Sequence, residues 1–210
     1  MRTPALTELA DALAAAAPTL DDDGRAIAKA IYTLLAKGAP TTDDQIAAET
    51  GIPLDQVAST IAGWNGVFRD RDQQIVGFWG LTVTEMPPHH FQVGDAHMYA
   101  WCAWDTLFLP GILDTTANIQ STDANSGETV TLTVTPDGIT QRSHDQMVVS
   151  FLMPEGEFTD DVVQSFCHYV HFFTDPQSAK SWTATHDHTF AVPLDEAFDI
   201  GQRWNQARQI

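Results

Sequence analysis

Hydrophobic residues in the first part of the chain recur at helical spacing, and they predict four helices. Over residues 4–17, Leu6, Leu9 and Leu13 share one face of a helix, and Pro18 ends it. The same periodicity returns in three later segments, each closed by a glycine, and polar residues suited to a helix start precede the first two. These further helices are predicted at residues 24–38, 42–51 and 54–63.

After this helical part, alternation of apolar and polar residues predicts β-strands. Residues 67–81 alternate as a hairpin does, and the segment 147–153 is apolar enough for a buried strand. Residues 162–173 fit either a strand or the start of a helix. The remaining predictions are strands within residues 121–139 and 189–194, and helices at residues 175–186 and 195–207.

This order of elements predicts an α+β protein. A helix, a turn and a second helix over residues 42–63, followed by the hairpin, are typical of a winged-helix module. We therefore predict a winged-helix-like N-terminal domain over residues 1–82. It would pack on a C-terminal domain over residues 83–210, built from a mixed or antiparallel β-sheet with helices.

Winged helices often read DNA, but the charge of this chain argues against that function. The predicted recognition helix offers Asp55, Gln56, Ser59 and Thr60, without Lys or Arg to anchor a phosphate. The whole chain has 10 Lys and Arg against 28 Asp and Glu, a net charge of −18 that repels nucleic acid. We predict no nucleic-acid partner and assign the module a packing role.

Cysteine usage and hydropathy indicate a reducing, aqueous compartment. The chain has only two cysteines, too few for the disulfide framework of a secreted domain. It shows no signal-peptide pattern and no apolar run long enough to cross a membrane. The prediction is a cytoplasmic protein with reduced thiols and no membrane partner.

One of the two cysteines lies in an unusual setting, the stretch YAWCAWDTLFLPGIL. We predict a helix over residues 100–109, ended by Pro110 and Gly111. Cys102 and Asp105 would then lie three residues apart on one face, where a thiol and a carboxylate reach the same small ligand. A thiol near a helix N-terminus or a base has an increased thiolate fraction, which makes it a better nucleophile and metal ligand.

The second cysteine, Cys167, also lies among aromatic residues, in the stretch SFCHYVHFF. A lone cysteine in such company is usually a small buried hydrophobe, and that interpretation applies to each cysteine taken alone. Histidines offer a weaker signal. His89 and His90 are predicted to lie in a solvent-facing linker, and His186 and His188 lack partners at a zinc-site spacing.

Taken together and in this order, the two stretches resemble the signature segments of the organomercurial lyase, or alkylmercury lyase, family. The resemblance implies that Cys102, Asp105 and Cys167 are the catalytic residues and the transient ligands of mercury. Some relatives carry a third cysteine, whereas here His168 follows Cys167. The two-thiolate chemistry does not require the third thiol.

The implied reaction is protonolysis of a carbon–mercury bond. Mercury is a soft metal that prefers sulfur, so two thiolates would weaken its bond to carbon while Asp105 delivers a proton. An aspartate among aromatic residues has its pKa raised by desolvation, as a proton shuttle requires. The resemblance further implies an alkyl or aryl mercury substrate, no cofactor, low-molecular-weight thiols for turnover, and Hg(II) passed to cellular thiols or a mercuric reductase.

Two other functions stay open at this point. The same cysteines could sequester Hg(II) or Cu(I) without catalysis, or the chain could be a winged-helix regulator that responds to metal. If the protein is a lyase, an apolar pocket should accept the organic group. The aromatic candidates for its wall are Phe91, Tyr99, Trp101 and Phe172.

Overall fold

The computed structural model describes residues 4–210, so the first residues of the predicted N-terminal domain lie outside the described part. The helices are Leu6–Ala16 (α1), Asp22–Leu35 (α2), Asp43–Thr50 (α3), Leu54–Ala62 (α4), Asp105–Leu113 (α5), Val162–Ser165 (α6), Pro176–Thr183 (α7) and Leu194–Arg208 (α8). The strands are Val67–Arg69 (β1), Ile75–Phe78 (β2), Leu81–Thr82 (β3), His90–Val93 (β4), Ala96–Ala100 (β5), Ala117–Thr122 (β6), Thr129–Thr135 (β7), Gly138–Arg142 (β8), Val148–Leu152 (β9), Phe172–Phe173 (β10) and Thr189–Pro193 (β11). These elements confirm the predicted α+β class.

The four N-terminal helices form where the sequence predicts them because their ends carry local capping signals. Thr42 and Gln45 form a reciprocal capping box at the start of α3, and Gly51 closes that helix in the left-handed conformation. Asp21 caps α2 by accepting a hydrogen bond from the amide of Gly24. None of the described helices combines the length and the apolar character needed to cross a bilayer.

A single large sheet runs through both halves of the chain. Its strand order is β1-β2-β3-β5-β4-β6-β7-β8, and every neighbouring pair is antiparallel. The pairing of β3 with β5 joins the N-terminal hairpin to the C-terminal strands. A smaller sheet has the order β10-β9-β11, with β9 buried at its centre.

The two halves also share one hydrophobic core. Buried residues from α1, α2, the large sheet, α5 and α8 form a continuous cluster. The last helix, α8, packs against both α1 and α5, and α2 packs against α5. The proposed boundary at residue 82 therefore falls inside a continuous sheet and core, and it stays a prediction.

Three local predictions are wrong. Residues 100–104 are the end of β5 and a turn rather than a helix, and α5 begins only at Asp105. Pro110 lies inside α5 instead of ending it, which a buried helix tolerates because neighbouring elements hold it in place. His89 is buried rather than solvent-facing, because its ring nitrogen Nδ1 lies 2.9 Å from Oγ of Ser121.

The segment around Cys167 contains both alternatives that the sequence allows, a helix at its start and a strand at its end, with Cys167 between them. Helix α6 ends at Ser165, Cys167–Tyr169 forms a single 3₁₀ turn, and the chain then becomes extended before β10. This change of backbone geometry places Cys167 in a tight turn, where its position is set by tertiary contacts.

Candidate active site

The two cysteines come from distant parts of the chain and meet in the interior. Cys102 lies in the turn between β5 and α5, and Cys167 lies in the 3₁₀ turn after α6. Both are buried free thiols. Their sulfur atoms and one carboxylate oxygen of Asp105 all lie within 4.8 Å of one another. Within the described residues, 4–210, this is the only group of three such side chains with metal-binding geometry.

Backbone hydrogen bonds hold the two cysteine turns together. The amide of Ala103, next to Cys102, donates to the carbonyl of Val170, three residues after Cys167, over 3.1 Å. The amide of Trp101 donates to the carbonyl of Gly80 over 2.9 Å. The thiols are therefore positioned by main-chain contacts on both sides rather than by side-chain packing alone.

Asp105 is placed by the start of its own helix. As the first residue of α5 it turns back, and its Oδ2 atom accepts a hydrogen bond of 2.8 Å from the amide of Cys102. The opposite side of the carboxyl group faces Gly80, where a Cβ atom would lie 2.7 Å from Cγ and Oδ1 of Asp105. Only a glycine at position 80 leaves this carboxyl group its present space.

Burial sets the proton affinity of the aspartate. Asp105 is only 5% exposed, and desolvation raises its pKa to about 7 even though hydrogen bonds from Cys102 act in the lowering direction. Both protonation states are thus populated near neutral pH, as a proton shuttle requires.

Burial acts on the thiols as well. Desolvation raises the pKa of Cys102, and its hydrogen bond with Cys167 and the nearby charge of Asp105 act in the same direction. For Cys167, the hydrogen bond with Cys102 lowers the pKa, but burial and the charge of Asp105 together outweigh it and raise the pKa. Both thiols are protonated at neutral pH, so a soft metal that binds them must displace their protons.

An apolar cavity of about 200 Å³ leads to these groups. Asp105 and Cys167 line it, while Cys102 is fully buried behind them. Seven aromatic side chains from both halves of the chain contribute to its wall; they are Trp79, Trp101, Trp104, Phe108, Phe158, Phe166 and Trp204. A larger and more open groove beside His186 and Phe190 contains none of the three site residues.

Of the four aromatic residues predicted to form this wall, only Trp101 lines the cavity. Phe91 and Phe172 are fully buried in the core, and Tyr99 faces another part of the surface. The prediction fails for them because alternation along a strand tells which residues share a face but not which face meets the cavity.

Sequence reasoning also missed other residues that line the cavity, among them Trp79, Gly80, Trp204 and Arg208. The only available signal was weak, the spacing of Trp204 and Arg208 by one helical turn in α8. Trp79 and Gly80 come from the N-terminal half, so the hairpin of the winged-helix-like module forms part of the cavity wall.

Two protein-family models match this chain. A family model described as "Alkylmercury lyase" matches residues 81–206, which is more than half of the chain. The chain belongs to the alkylmercury lyase family. A second model, "Helix-turn-helix domain of alkylmercury lyase", matches residues 5–79 and agrees with the predicted winged-helix-like module. Membership in the family makes the chain a carbon–mercury lyase, which confirms the predicted enzyme class.

Individual relatives cover most of the chain. The alkylmercury lyase of Staphylococcus epidermidis is 34% identical over 86% of this chain and 84% of its own length. The alkylmercury lyase of Streptomyces lividans is 36% identical over 84% of this chain and 80% of its own length. Among solved structures, "Crystal structure of the mercury-bound form of MerB2" matches with a TM-score of 0.77 and 25% identity, covering 96% of this chain and 98% of that chain.

Proposed function

We propose that this alkylmercury lyase uses Cys102, Cys167 and Asp105 to cleave the carbon–mercury bond of alkyl and aryl mercury compounds. The observation that carries the proposal is the convergence of two thiols and one carboxyl group within 4.8 Å, beside an apolar cavity. Two sulfur ligands suit a soft metal, and the cavity suits its organic group.

The proposed reaction begins with thiolate exchange. A substrate R–Hg–SR′ loses its carrier thiolate as a sulfur of the protein binds mercury. Asp105 accepts the proton of the incoming thiol, which its pKa near 7 permits. The second thiol then binds, and its proton leaves with the carrier as HSR′. Mercury now has two protein sulfurs in addition to carbon.

Cleavage is the return of the proton. Donation from two sulfurs weakens the carbon–mercury bond, and Asp105 gives its proton to the carbon as that bond breaks. The bonding electron pair stays with carbon, the product is R–H, and Hg(II) remains on the two thiolates. The full balance is R–Hg–SR′ plus two cysteine thiols giving R–H, HSR′ and mercury bound to both cysteines.

We also propose that low-molecular-weight thiols complete the cycle. Two of them would exchange with the bound metal, so that Hg(II) leaves as a bis-thiolate and both cysteines regain their protons. A mercuric reductase is a suitable final acceptor. Both cysteines must be reduced in every catalytic cycle, which favours a cytoplasmic location. The proposed reaction uses no resident cofactor.

Product analysis tests the proposal. Purified protein with phenylmercury and excess thiol should release benzene, measured by gas chromatography, and in D₂O the benzene should carry one deuterium. Cys102→Ala and Cys167→Ala should each release none above the uncatalysed rate. Without added thiol, release should stop at one equivalent per protein molecule.

Two results would contradict this scheme. Full activity in either cysteine variant would exclude the two-thiolate mechanism. Uptake of mercury by the wild type with no hydrocarbon product would instead indicate sequestration of a soft metal.

A further inference from the structure

Arg208 is a buried cation on the wall of the catalytic cavity. It is the last residue of α8, it is only 7% exposed, and it lines the same cavity as Asp105 and Cys167. Among residues 4–210, neither Nη1 nor Nη2 of its guanidinium group has a hydrogen-bond partner. Because an unpaired buried donor is costly, such a group calls for an explanation.

The ion pairs elsewhere in the protein make this arginine unusual. Arg25, Arg69 and Arg142 each pair with an aspartate near the surface. Arg208 makes no such pair within the described residues, although the chain has 28 acidic residues and Asp105 and Glu157 line the same cavity. It is also the only cationic side chain among the described residues of this cavity wall.

Two indole rings hold the guanidinium group in place. Its central carbon lies 4.0 Å from the ring centroid of Trp79 and 4.9 Å from that of Trp204. Cation–π contacts stabilise the charge through the faces of the group and leave its N–H edge free for a planar anion. Trp79 is followed by Gly80, which lies against Asp105, and Arg208 and Asp105 line the same cavity.

We propose that Arg208 binds the carboxylate of the thiol that carries the organomercurial into the site. The inference rests on the proposed function, in which the substrate arrives as R–Hg–SR′. Mercury binds its carrier through sulfur, so a carboxylate on that carrier enters the cavity together with the metal. Arginine binds carboxylates in a two-pronged geometry, and few other side chains match it. The subsite would thus select carboxylate-bearing thiol adducts over neutral ones.

A pair of matched carriers tests this subsite. Phenylmercury is presented as its adduct with 3-mercaptopropionate or with the neutral 3-mercaptopropanamide, and benzene release is followed in single turnovers with excess protein. The wild type should reach half-maximal rate at an about tenfold lower protein concentration with the carboxylate adduct, a factor that corresponds to about 1.4 kcal/mol. The maximal rates for the two adducts should agree.

Variants on the same helix identify the residue responsible. Arg208→Met should remove the preference for the carboxylate adduct, so that both adducts reach half-maximal rate at the same protein concentration. Arg208→Lys should keep part of the preference, since it retains the charge but not the fork of donors. Arg203→Met is the control, because it removes an exposed arginine of α8 away from the cavity and should keep the full wild-type preference.

Each outcome decides between the possibilities. Equal half-saturation of the wild type by both adducts, or an unchanged preference in Arg208→Met, would overturn the subsite. If Arg208→Met does not fold, the wild-type ratio and its reduction in Arg208→Lys decide the same question. Failure of the wild type to release benzene from either adduct would overturn the proposed function instead.

Discussion

At the scale of single residues, Asp105 shows how function opposes stability. Its pKa is raised to about 7 in the folded protein, whereas an aspartate in an unfolded chain titrates near 3.9. The folded state therefore favours the protonated form. This contribution to stability is complete below about pH 4 and is lost as the pH rises through 7.

Replacement of this carboxyl group should make the protein more stable and less active. At pH 8 we expect Asp105→Asn to unfold at a higher urea concentration than the wild type, with a free energy of unfolding larger by up to about 4 kcal/mol. This difference should disappear by pH 4. Benzene release from phenylmercury should fall at least about a hundredfold, because the amide cannot carry the proton. Urea unfolding across this pH range and product analysis measure the two effects.

The exposed Asp95 provides the matched control, since Asp95→Asn should alter neither quantity. An Asp105→Asn protein that matched the wild type in stability at pH 8 would contradict the effect of burial on this carboxyl group.

The residues of the site were predictable to different degrees. Cys102, Asp105 and Cys167 are recognisable from their flanking aromatic residues and their order along the chain. That both sulfurs point to one place could not be derived from these patterns, because it depends on the contact between Ala103 and Val170 across the fold. Arg208 could not be assigned either, since its isolation among aromatic rings is a property of packing.

At the scale of elements, the turn between β2 and β3 links the N-terminal half to the carboxyl group of Asp105. Trp79 and Gly80 form a two-residue hairpin loop, and both have positive φ values, 30° and 99°. A tryptophan in this conformation is strained, and Tyr32 of α2 stabilises the loop by donating a hydrogen bond of 2.8 Å to the Trp79 carbonyl.

A methyl group added to this loop should disturb catalysis more than folding. Gly80→Ala places a Cβ atom 2.7 Å from the Asp105 carboxyl group, which must then move away from Cys102. We expect the maximal rate of benzene release to fall about tenfold or more, with a loss of about 1–2 kcal/mol in the free energy of unfolding.

Gly127→Ala is the control that distinguishes the effect of backbone strain from the effect of the contact with Asp105. Gly127 also has a positive φ, 75°, but a Cβ atom there would contact nothing within 4 Å. This variant should lose similar stability and keep its full rate. Equal rates for the Gly80→Ala variant and the wild type would show that the loop does not position Asp105.

Elements with local signals were predicted well, and those that depend on tertiary contacts were not. The caps of α2, α3 and α7 are encoded within a few residues, so these helices appear where the sequence predicts them. The prediction of a helix at Cys102 is wrong because β5 pairs with β4 up to Tyr99 and with β3 up to Ala100, and sequence periodicity does not show this pairing.

At the scale of the whole molecule, the buried His89 makes the stability of the fold depend on pH. Burial lowers its pKa to about 3, with His171 and His90 acting in the same direction. An unfolded histidine titrates near 6.5, so the folded state favours the neutral ring. The resulting stability is present above pH 6.5 and is lost as the pH falls towards 3.

We therefore expect acid to destabilise the wild type more than His89→Gln. Between pH 7 and pH 5 the wild type should lose about 2 kcal/mol more of its free energy of unfolding than this variant. His97→Gln, at an exposed position, should follow the wild type. Parallel stability curves for wild type and His89→Gln would contradict a neutral buried His89.

The pairing of β3 with β5 has a consequence for heating. One sheet and one core span both halves. Unfolding of either half would therefore expose the sheet edge and the apolar surface of the other half. Calorimetry should record a single endotherm whose van't Hoff and calorimetric enthalpies agree. Limited proteolysis should not cleave the folded protein preferentially near residue 82. A fragment that ends at residue 82 should not fold by itself.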